Sequence, residues 1–575
     1  MSLIDIAVIA AYFIASIFIA VLMTKKSGKN TEEFFLSGRK MPWWLAGTAM
    51  VATTFAADTP LAVTELVVRN GISGNWLWWN MVAGNMLTVF FFAHLWRRAE
   101  ILTDIEFIEL RYSGASAAFL RAFKSIYLGI FMNVIIMGWV NVALVEIFKI
   151  IFGVPEQQVF LYVILSMVLV GVYSALSGLW GISYTDMFQF IFAMTGCIVL
   201  AVVVLGVPEV GGIDGLRQKL PREVFSFFPS VNMGADDFVA GILTLSASSF
   251  FAYIFIQWWA SWYPGSEPGG GGYVAQRMMS SKDEKNSQIA TLWFTVAHFA
   301  IRPWPWILVA LSTMVLYANL PPEDAKTGYV LAMRDYLPAG LLGLLVASFL
   351  AAYMSTIATH LNWGSSYIIN DLYKRFIRRD DTERHYVFIS RLIIMLLVVA
   401  SSLMIFVIKS ISGAWAFIIE CGAGLGLVLI LRWYWWRVNA WSEIVAMIAP
   451  IAGYCINLLF IGLQFPRSLF FLVSFTTISW LIATLLTKPV EAEKLRSFYL
   501  RVKPGGPGWK HIREELQITG TESLVPLFGS WIIGIIVVYS SLFCIGNLIF
   551  SNYIIAGILF LVALVGFSIL RMALK

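Results

Sequence analysis

Ser355, Thr356, Thr359, Asn362, Ser365 and Ser366 fall within Ala351 to Arg379, AAYMSTIATHLNWGSSYIINDLYKRFIRR, a stretch long enough to cross a bilayer. Hydroxyls three and four residues apart share one helical face. Inside a membrane such a stripe needs a partner, either a neighbouring helix or something that is carried. A hard cation such as sodium prefers oxygen ligands, and two hydroxyls one residue apart, Ser355 and Thr356, with the Ala352 carbonyl one turn earlier, offer three. The rival is that these hydroxyls only bond back to carbonyls of their own helix.

A second source of oxygen lies in PWWLAGTAMVATTFAADTPLAVTELVVRNG, residues 42–71, whose ATTFAADTP centre is too polar and too rich in small residues to face lipid. Pro60 has no amide donor and clashes with the preceding turn. A break there frees carbonyls from about Ala52 to Phe55, and unwound carbonyls near the bilayer midplane coordinate cations in transporters. Together the two stretches supply about five oxygens, a plausible sodium shell. A third stretch, AGILTLSASSFFAYIFIQWWASWYPG, has a small and hydroxylic centre and lies five spans further on. Two interrupted helices in corresponding positions point to an inverted-repeat secondary transporter.

Arg302 lies mid-span in WFTVAHFAIRPWPWILVAL. A membrane-centre arginine costs at least about 2.5–3.5 kcal/mol, so it should face a cavity or a counter-charge. Asp58 or Glu420 would neutralise it internally; alternatively it holds a substrate carboxylate, or snorkels. His298, one turn earlier, belongs to the same cluster or is a packed histidine. The run PGSEPGGGGY, residues 264–273, lacks the Lys and Ser/Thr of a phosphate loop, and its glycines predict a flexible cytoplasmic hinge.

The elements that must position these residues are membrane helices. The chain is 59% hydrophobic and 13% charged, against roughly 25% charge in a soluble protein. About fifteen apolar segments recur, near 3–24, 42–68, 74–96, 117–150, 158–177, 181–206, 238–262, 288–317, 339–373, 387–408, 412–436, 441–463, 468–487, 526–549 and 553–573. The first is followed, not preceded, by Lys25, Lys26 and Lys29, the reverse of a signal peptide. It therefore reads as a retained helix entering from outside. With that orientation most of the 40 Lys and Arg fall in cytoplasmic loops. The charge of +6 is thus topogenic and no nucleic-acid partner is expected. The four cysteines lie in apolar spans without metal-type spacing. Residues 489–517 read as a cytoplasmic connector with short interfacial helices, and the two spans after it as peripheral additions. The loops 207–237 and 318–338 are lids or ordinary connectors.

Four stretches, with Gln276-Arg277, are similar to the sodium:solute symporter family, which includes sodium–galactose, sodium–proline and sodium–sialic acid transporters: EFFLSGRKMPWWL (33–45), LTDIEFIELRYSG (102–114), GLWGISYTDMFQ (178–189) and AYMSTIATHLNWGSSYIINDLYKR (352–375). The resemblance implies an all-α polytopic membrane protein. Its ten-helix core would be two inverted five-helix repeats with a broken first core helix, flanked by one N-terminal and about four C-terminal helices. Carried onto this sequence, the sodium ligands are the carbonyls of Ala52, Phe55 and Ala352 and the hydroxyls of Ser355 and Thr356. Asp186 and Thr359 match a second sodium site or ion path, although Ala358 lacks the oxygen that site wants. By approximate register Asp58, Thr59, Asn80, Gln257 and Glu420 fall where sugar-transporting relatives keep hydrogen-bonding side chains. Trp76, Trp78 and Trp79 form either an aromatic platform for a pyranose or interface anchors.

The expected organisation is an accessory helix and loop (1–41), a first repeat (42–206), an extracellular loop (207–237), a second repeat (238–436), accessory helices (437–487), a connector (488–525) and a final helix pair (526–575). The expected function is sodium-coupled import of a small organic solute, sugar preferred, by alternating access. The alternatives are an amino acid, sugar acid or other carboxylate, or a transporter-like sensor. Sodium is the co-transported ion and no organic cofactor is expected. Small solute and membrane lipid are the partners, with oligomeric state open. The location is the plasma (inner) membrane, N-terminus outside and C-terminus cytoplasmic. A channel fits asymmetric polar sites poorly, and no paired nucleophile and base or His and acid ligands suggest an enzyme.

Overall fold

The computed structural model describes residues 1–27, 36–174, 179–232, 244–520 and 522–574. Lys29, the first residues of the EFFLSGRK and GLWGISYTD stretches, and the ends of the 158–177 and 238–262 spans lie outside them. The fold is nearly all helical; one short parallel pair, Ser230–Asn232 with Thr244–Ser246, is the exception among named strands.

Ten core helices follow an accessory helix, Leu3–Ser27. Core helix 1 is Trp43–Thr53 plus Asp58–Asn70, bent by 60°. Core helix 2 runs in pieces from Trp76 to Ala99. Core helices 3, 4 and 5 are Gly114–Ile150, Glu156–Ser174 and Leu179–Leu205. Core helix 6 begins at Ala247 and is interrupted after Ala260, resuming as Gly272–Ser280. Core helices 7, 8 and 9 are Glu284–Leu316, Leu341–Ile377 and Glu383–Leu403. Core helix 10 is Ile411–Cys421 plus Leu425–Tyr434, bent by 50°. Among the described residues nine helices are long and apolar enough to cross a membrane, or eleven counting the bent pairs as spans. Of the sequence-expected spans that fail this test, 74–96 and 238–262 break, 158–177 runs past the described residues, and the first counts only as a shorter apolar helix, Leu3–Ala15.

The break in core helix 1 follows from Pro60 as expected. The Phe55 N–H closes a short turn on the Ala52 carbonyl at 2.9 Å, and the Thr59 N–H turns back to Ala56 at 3.2 Å. Phe55 thereby loses the donor that a continuous helix would bring four residues on.

The Gly-rich run corrects the sequence reading. Residues 265–275 are buried, and the helix resumes at Gly272, so the run is the interior break of core helix 6 and not a flexible loop. Its glycines are required by close approach. Gly269 and Gly270 have φ of +80° and +77°, and a Cβ on Gly270 would sit 2.9 Å from the Trp96 indole nitrogen. That indole donates to the Gly269 carbonyl at 2.8 Å. Core helices 6 and 10 are joined break to break, by Trp262 N–H to the Gly422 carbonyl and Gly424 N–H to the Ala260 carbonyl.

The connector is also more than interfacial. Phe498 and Trp509 are buried and stacked on each other, and the Arg111 guanidinium lies against both rings while donating to the Arg432, Trp435 and Trp436 carbonyls. The helix Leu524–Ile549 then lies along core helix 2, with Trp531 and Tyr539 donating to the Ala83 and Trp79 carbonyls. The last helix, Tyr553–Ala573, is mostly exposed.

Candidate functional site: a central cavity beside a broken helix

The stripe on core helix 8 divides by partner. Ser348, Ser365 and Ser366 bond back to carbonyls of their own helix. Ser355 does not; its hydroxyl donates to Asp186 on core helix 5. The Thr356 hydroxyl is buried and has no hydrogen-bond partner. With its proton given to Asp186, the Ser355 oxygen keeps its lone pairs for another donor or a cation.

Asp186 is a hub. Its other oxygen is 3.5 Å from the Thr53 hydroxyl and 3.8 Å from the Arg277 guanidinium, and Arg277 donates to Thr53 at 3.1 Å. One carboxylate therefore ties together core helices 1, 5, 6 and 8. Thr359, Ala358, Ser355 and Asp186 line a largely apolar cavity of about 290 Å³ that reaches Phe13 of the accessory helix.

Thr356 also lines a central cavity of about 70 Å³, with Thr53, Thr54 and Ala56 of the core helix 1 break. Asp58, Thr59, His298 and Arg302 add polar groups, and Trp78, Trp139, Tyr263, Tyr273 and Trp415 add rings. Asp58 opens the second half of core helix 1, where the helix dipole favours a carboxylate; its Oδ1 has no partner. Core helix 7 passes the cavity as a π-turn over Ala297–Ile301, with the Arg302 N–H reaching the Ala297 carbonyl. The turn sets His298 and Arg302 side by side, a common use of such bulges.

Arg302 is buried and finds neither expected counter-charge among the described ion pairs. It donates to the Val51 carbonyl at 3.2 Å, the Thr54 hydroxyl at 3.1 Å and His298 Nδ1 at 2.8 Å, and stacks on Trp306. Because guanidinium only donates, His298 Nδ1 is the acceptor and its proton sits on Nε2.

Of the other candidates, Asn80 donates to the Trp76 and Leu77 carbonyls and Gln257 to the Leu77 carbonyl, so both brace core helix 2 and neither lines this cavity. Glu420 lies beside the core helix 10 break, bonded by Ser468, also outside it. Trp78 stacks on Phe299 in the cavity wall, whereas Trp76 and Trp79 pack against Phe543 of the C-terminal helix pair. Sequence reasoning missed Thr54, Tyr263, Tyr273, Trp139 and Trp415. Their signal is weak, because aromatic residues are spread through the whole chain.

A larger cavity of about 320 Å³ opens beyond Tyr273, lined by Asp104, Arg277, Asn370 and Lys374 at the end of the molecule that carries the 374–379 basic cluster. At the opposite end Glu65 accepts from Ser410 and Ser412 and pairs with Arg69, joining core helix 1 to the start of core helix 10.

The model of the sodium:solute symporter family matches residues 34–453. The chain belongs to this family. It is a sodium-coupled symporter by that membership, and residues 454–575 lie beyond the matched region. Among curated proteins it is 24% identical over 494 residues to the sodium/glucose cotransporter of Vibrio parahaemolyticus, covering 81% of this chain and 87% of that one. It is 23% identical over 488 residues to a sodium/mannose cotransporter of Bos taurus, covering 79% and 78%. Among solved structures, a Na⁺-coupled sialic acid symporter in a substrate-bound outward-open state superposes with a TM-score of 0.67 at 20% identity, covering 85% of this chain and 99% of the other. The likeness establishes the fold of two inverted repeats for this symporter.

Proposed function

We propose that this protein uses a sodium gradient to import a small polar solute, preferentially a sugar, by alternating access. The observation that carries the reading is the buried, unpartnered Thr356 hydroxyl lining the central cavity beside the core helix 1 break. A buried hydroxyl without a partner costs about 1–3 kcal/mol, and a sodium ion removes that cost. The proposed shell is the carbonyls of Ala52, Phe55 and Ala352 with the hydroxyls of Ser355 and Thr356. Asp186 serves the ion by holding the Ser355 proton, and its contact with Arg277, together with Ala358 in place of a hydroxyl, favours one sodium per cycle. Asp186 and Thr359 then border the ion's way out.

Asp58, Thr59 and His298 offer acceptors and donors to sugar hydroxyls, while Trp78, Trp139 and the two tyrosines offer ring faces. A carboxylate substrate is the second reading. It is disfavoured because both terminal nitrogens of Arg302 already donate to protein atoms, which leaves only the single N–H of its Nε without a partner and no bidentate face for a carboxylate. The named substrates of the curated relatives, glucose and mannose, support a sugar. In this reading the basic end is cytoplasmic in the plasma membrane and the vestibule beyond Tyr273 is the exit route. Sodium and solute bind from the other face, and rocking of the core delivers both inward. One charge crossing about 100 mV contributes roughly 2.3 kcal/mol and a tenfold gradient about 1.4 kcal/mol. Together these concentrate solute by several hundredfold.

The test is uptake of a panel of labelled sugars, amino acids and organic acids into proteoliposomes with and without a sodium gradient, repeated for Ser355→Ala with Thr356→Ala. Uptake indifferent to sodium, or unimpaired in the double variant, would overturn the ion assignment. Sodium binding without uptake of any solute would favour a sensor.

A further inference from the structure

A further buried acid sits in the break of core helix 6, and nothing in the sodium reading uses it. Glu267 lies in the break of core helix 6, only 3% exposed. Its Oε2 accepts from the Gly265 N–H at 3.1 Å, whereas its Oε1 has no hydrogen-bond partner. The indole N–H of Trp363, on core helix 8, likewise lacks an acceptor. Both side chains line a cavity of about 20 Å³ and converge on Gly272. A Cβ there would meet Glu267 Oε1 at 3.0 Å and the Trp363 ring at 3.6 Å.

The charges around Glu267 leave it as the one acid of its cluster with a free oxygen. Asp104, in the loop after core helix 2, accepts from the Tyr367 hydroxyl and the Gly272 N–H. Lys124 of core helix 3 and Arg432 of core helix 10 line the same cavity, but both pair with Glu443, at 3.5 and 3.4 Å. Tyr273, at the start of the resumed helix, borders the central cavity on the other side.

We propose that Glu267 is a proton-binding site, so that the symporter carries or exchanges a proton at the break of core helix 6 besides sodium at the break of core helix 1. The two unpartnered atoms are an acceptor and a donor, a combination that one water satisfies and a sodium ion does not. A cavity of this size admits a single water. Access fits both sides of the cycle. Asp104, Gly272 and Trp363 line both this cavity and the vestibule, and Ser266, next to Glu267 in the chain, lines the central cavity. A hydronium ion arriving by either route gives its proton to Glu267 Oε1, leaving water and a neutral carboxyl; release is the reverse.

The role in transport rests on the proposed function, but the test does not. Full-length protein in nanodiscs is titrated between pH 5 and 9 by infrared difference spectroscopy, following the carbonyl stretch of protonated carboxyl groups. One component should titrate and be lost in Glu267→Gln, with Glu420→Gln as a control that retains it. If Glu267→Gln fails to fold, Glu267→Asp should keep the component with a shifted midpoint. The component should persist in Thr356→Ala, while the sodium-induced change in tryptophan fluorescence should vanish in Thr356→Ala and persist in the Glu267 variants. A titration unchanged by substitution of Glu267, or no titrating component in this range, overturns the proposal. Loss of the fluorescence response in neither variant would count against the sodium site alone.

Discussion

Replacing Thr356 by valine removes one oxygen and keeps the shape. In the absence of sodium the wild-type hydroxyl is buried without a partner, so the substitution breaks no hydrogen bond and relieves a burial cost of about 1–3 kcal/mol. Thr356→Val is therefore expected to be as stable as the wild type in sodium-free buffer, or more stable by about 1 kcal/mol. With sodium the sign reverses, because the lost contact is one to a full charge, of about 1.5–3 kcal/mol. That corresponds to a sodium affinity lower by roughly ten- to a hundredfold. Stabilisation by a ligand at one hundred times its dissociation constant is about 2.7 kcal/mol, and in the variant about 0.4–1.4 kcal/mol of this should remain at the same sodium concentration. Thermal denaturation in detergent, with sodium varied against choline at constant ionic strength, reads both effects. A variant destabilised equally with and without sodium would refute the reasoning, since it would mean that Thr356 serves packing. Retention of the full sodium-dependent shift would refute it equally.

Arg302→Gln should destabilise the protein by about 2–4 kcal/mol without any substrate, because the Val51 carbonyl, Thr54 and His298 lose a buried charged donor; a neutral sugar should then be transported poorly too, and selective loss of acidic substrates alone would contradict this. Gly426→Ala should prevent core helices 6 and 10 from docking, since its Cβ would sit 2.1 Å from the Trp259 carbonyl oxygen, and expression as a monodisperse protein would argue against that contact. Glu522 in the connector is held below the usual glutamate range by the hydrogen bond from His94 at 3.2 Å. Its contribution to docking of the C-terminal helices is thus complete above the usual glutamate value of about 4.3 and lost as pH falls through the lower folded value. Protection factors of Leu524–Ile549, corrected for the intrinsic pH dependence of amide exchange, should fall on acidification in the wild type and not further in Glu522→Gln; parallel pH profiles would exclude the pair as a latch.

The sequence by itself determined the membrane class, eleven of the fifteen expected spans when each bent pair counts as one, and the first break. Those properties are local: apolar length, the charge of flanking loops and the missing amide of Pro60 are written within one segment. It also picked out the stripe on core helix 8, because hydroxyls in an apolar run are anomalous whatever surrounds them. Tertiary structure alone decided which hydroxyls in that stripe are free. Ser365 and Ser366 satisfy themselves within one turn, whereas Ser355 depends on Asp186, 169 residues away, and Thr356 on finding no protein partner. The Gly-rich run misled for the same reason. Glycine permits both a mobile loop and a tight buried turn, and only the rings and carbonyls packed against Gly269 and Gly270 select the second. Arg302, Asn80, Gln257 and Glu420 were legible as anomalies of polarity, but direction is a property of the assembled bundle. Packing turned Asn80 and Gln257 toward core helix 2 and Glu420 toward Ser468, and left Asp58, Thr59, His298 and Arg302 to share the cavity.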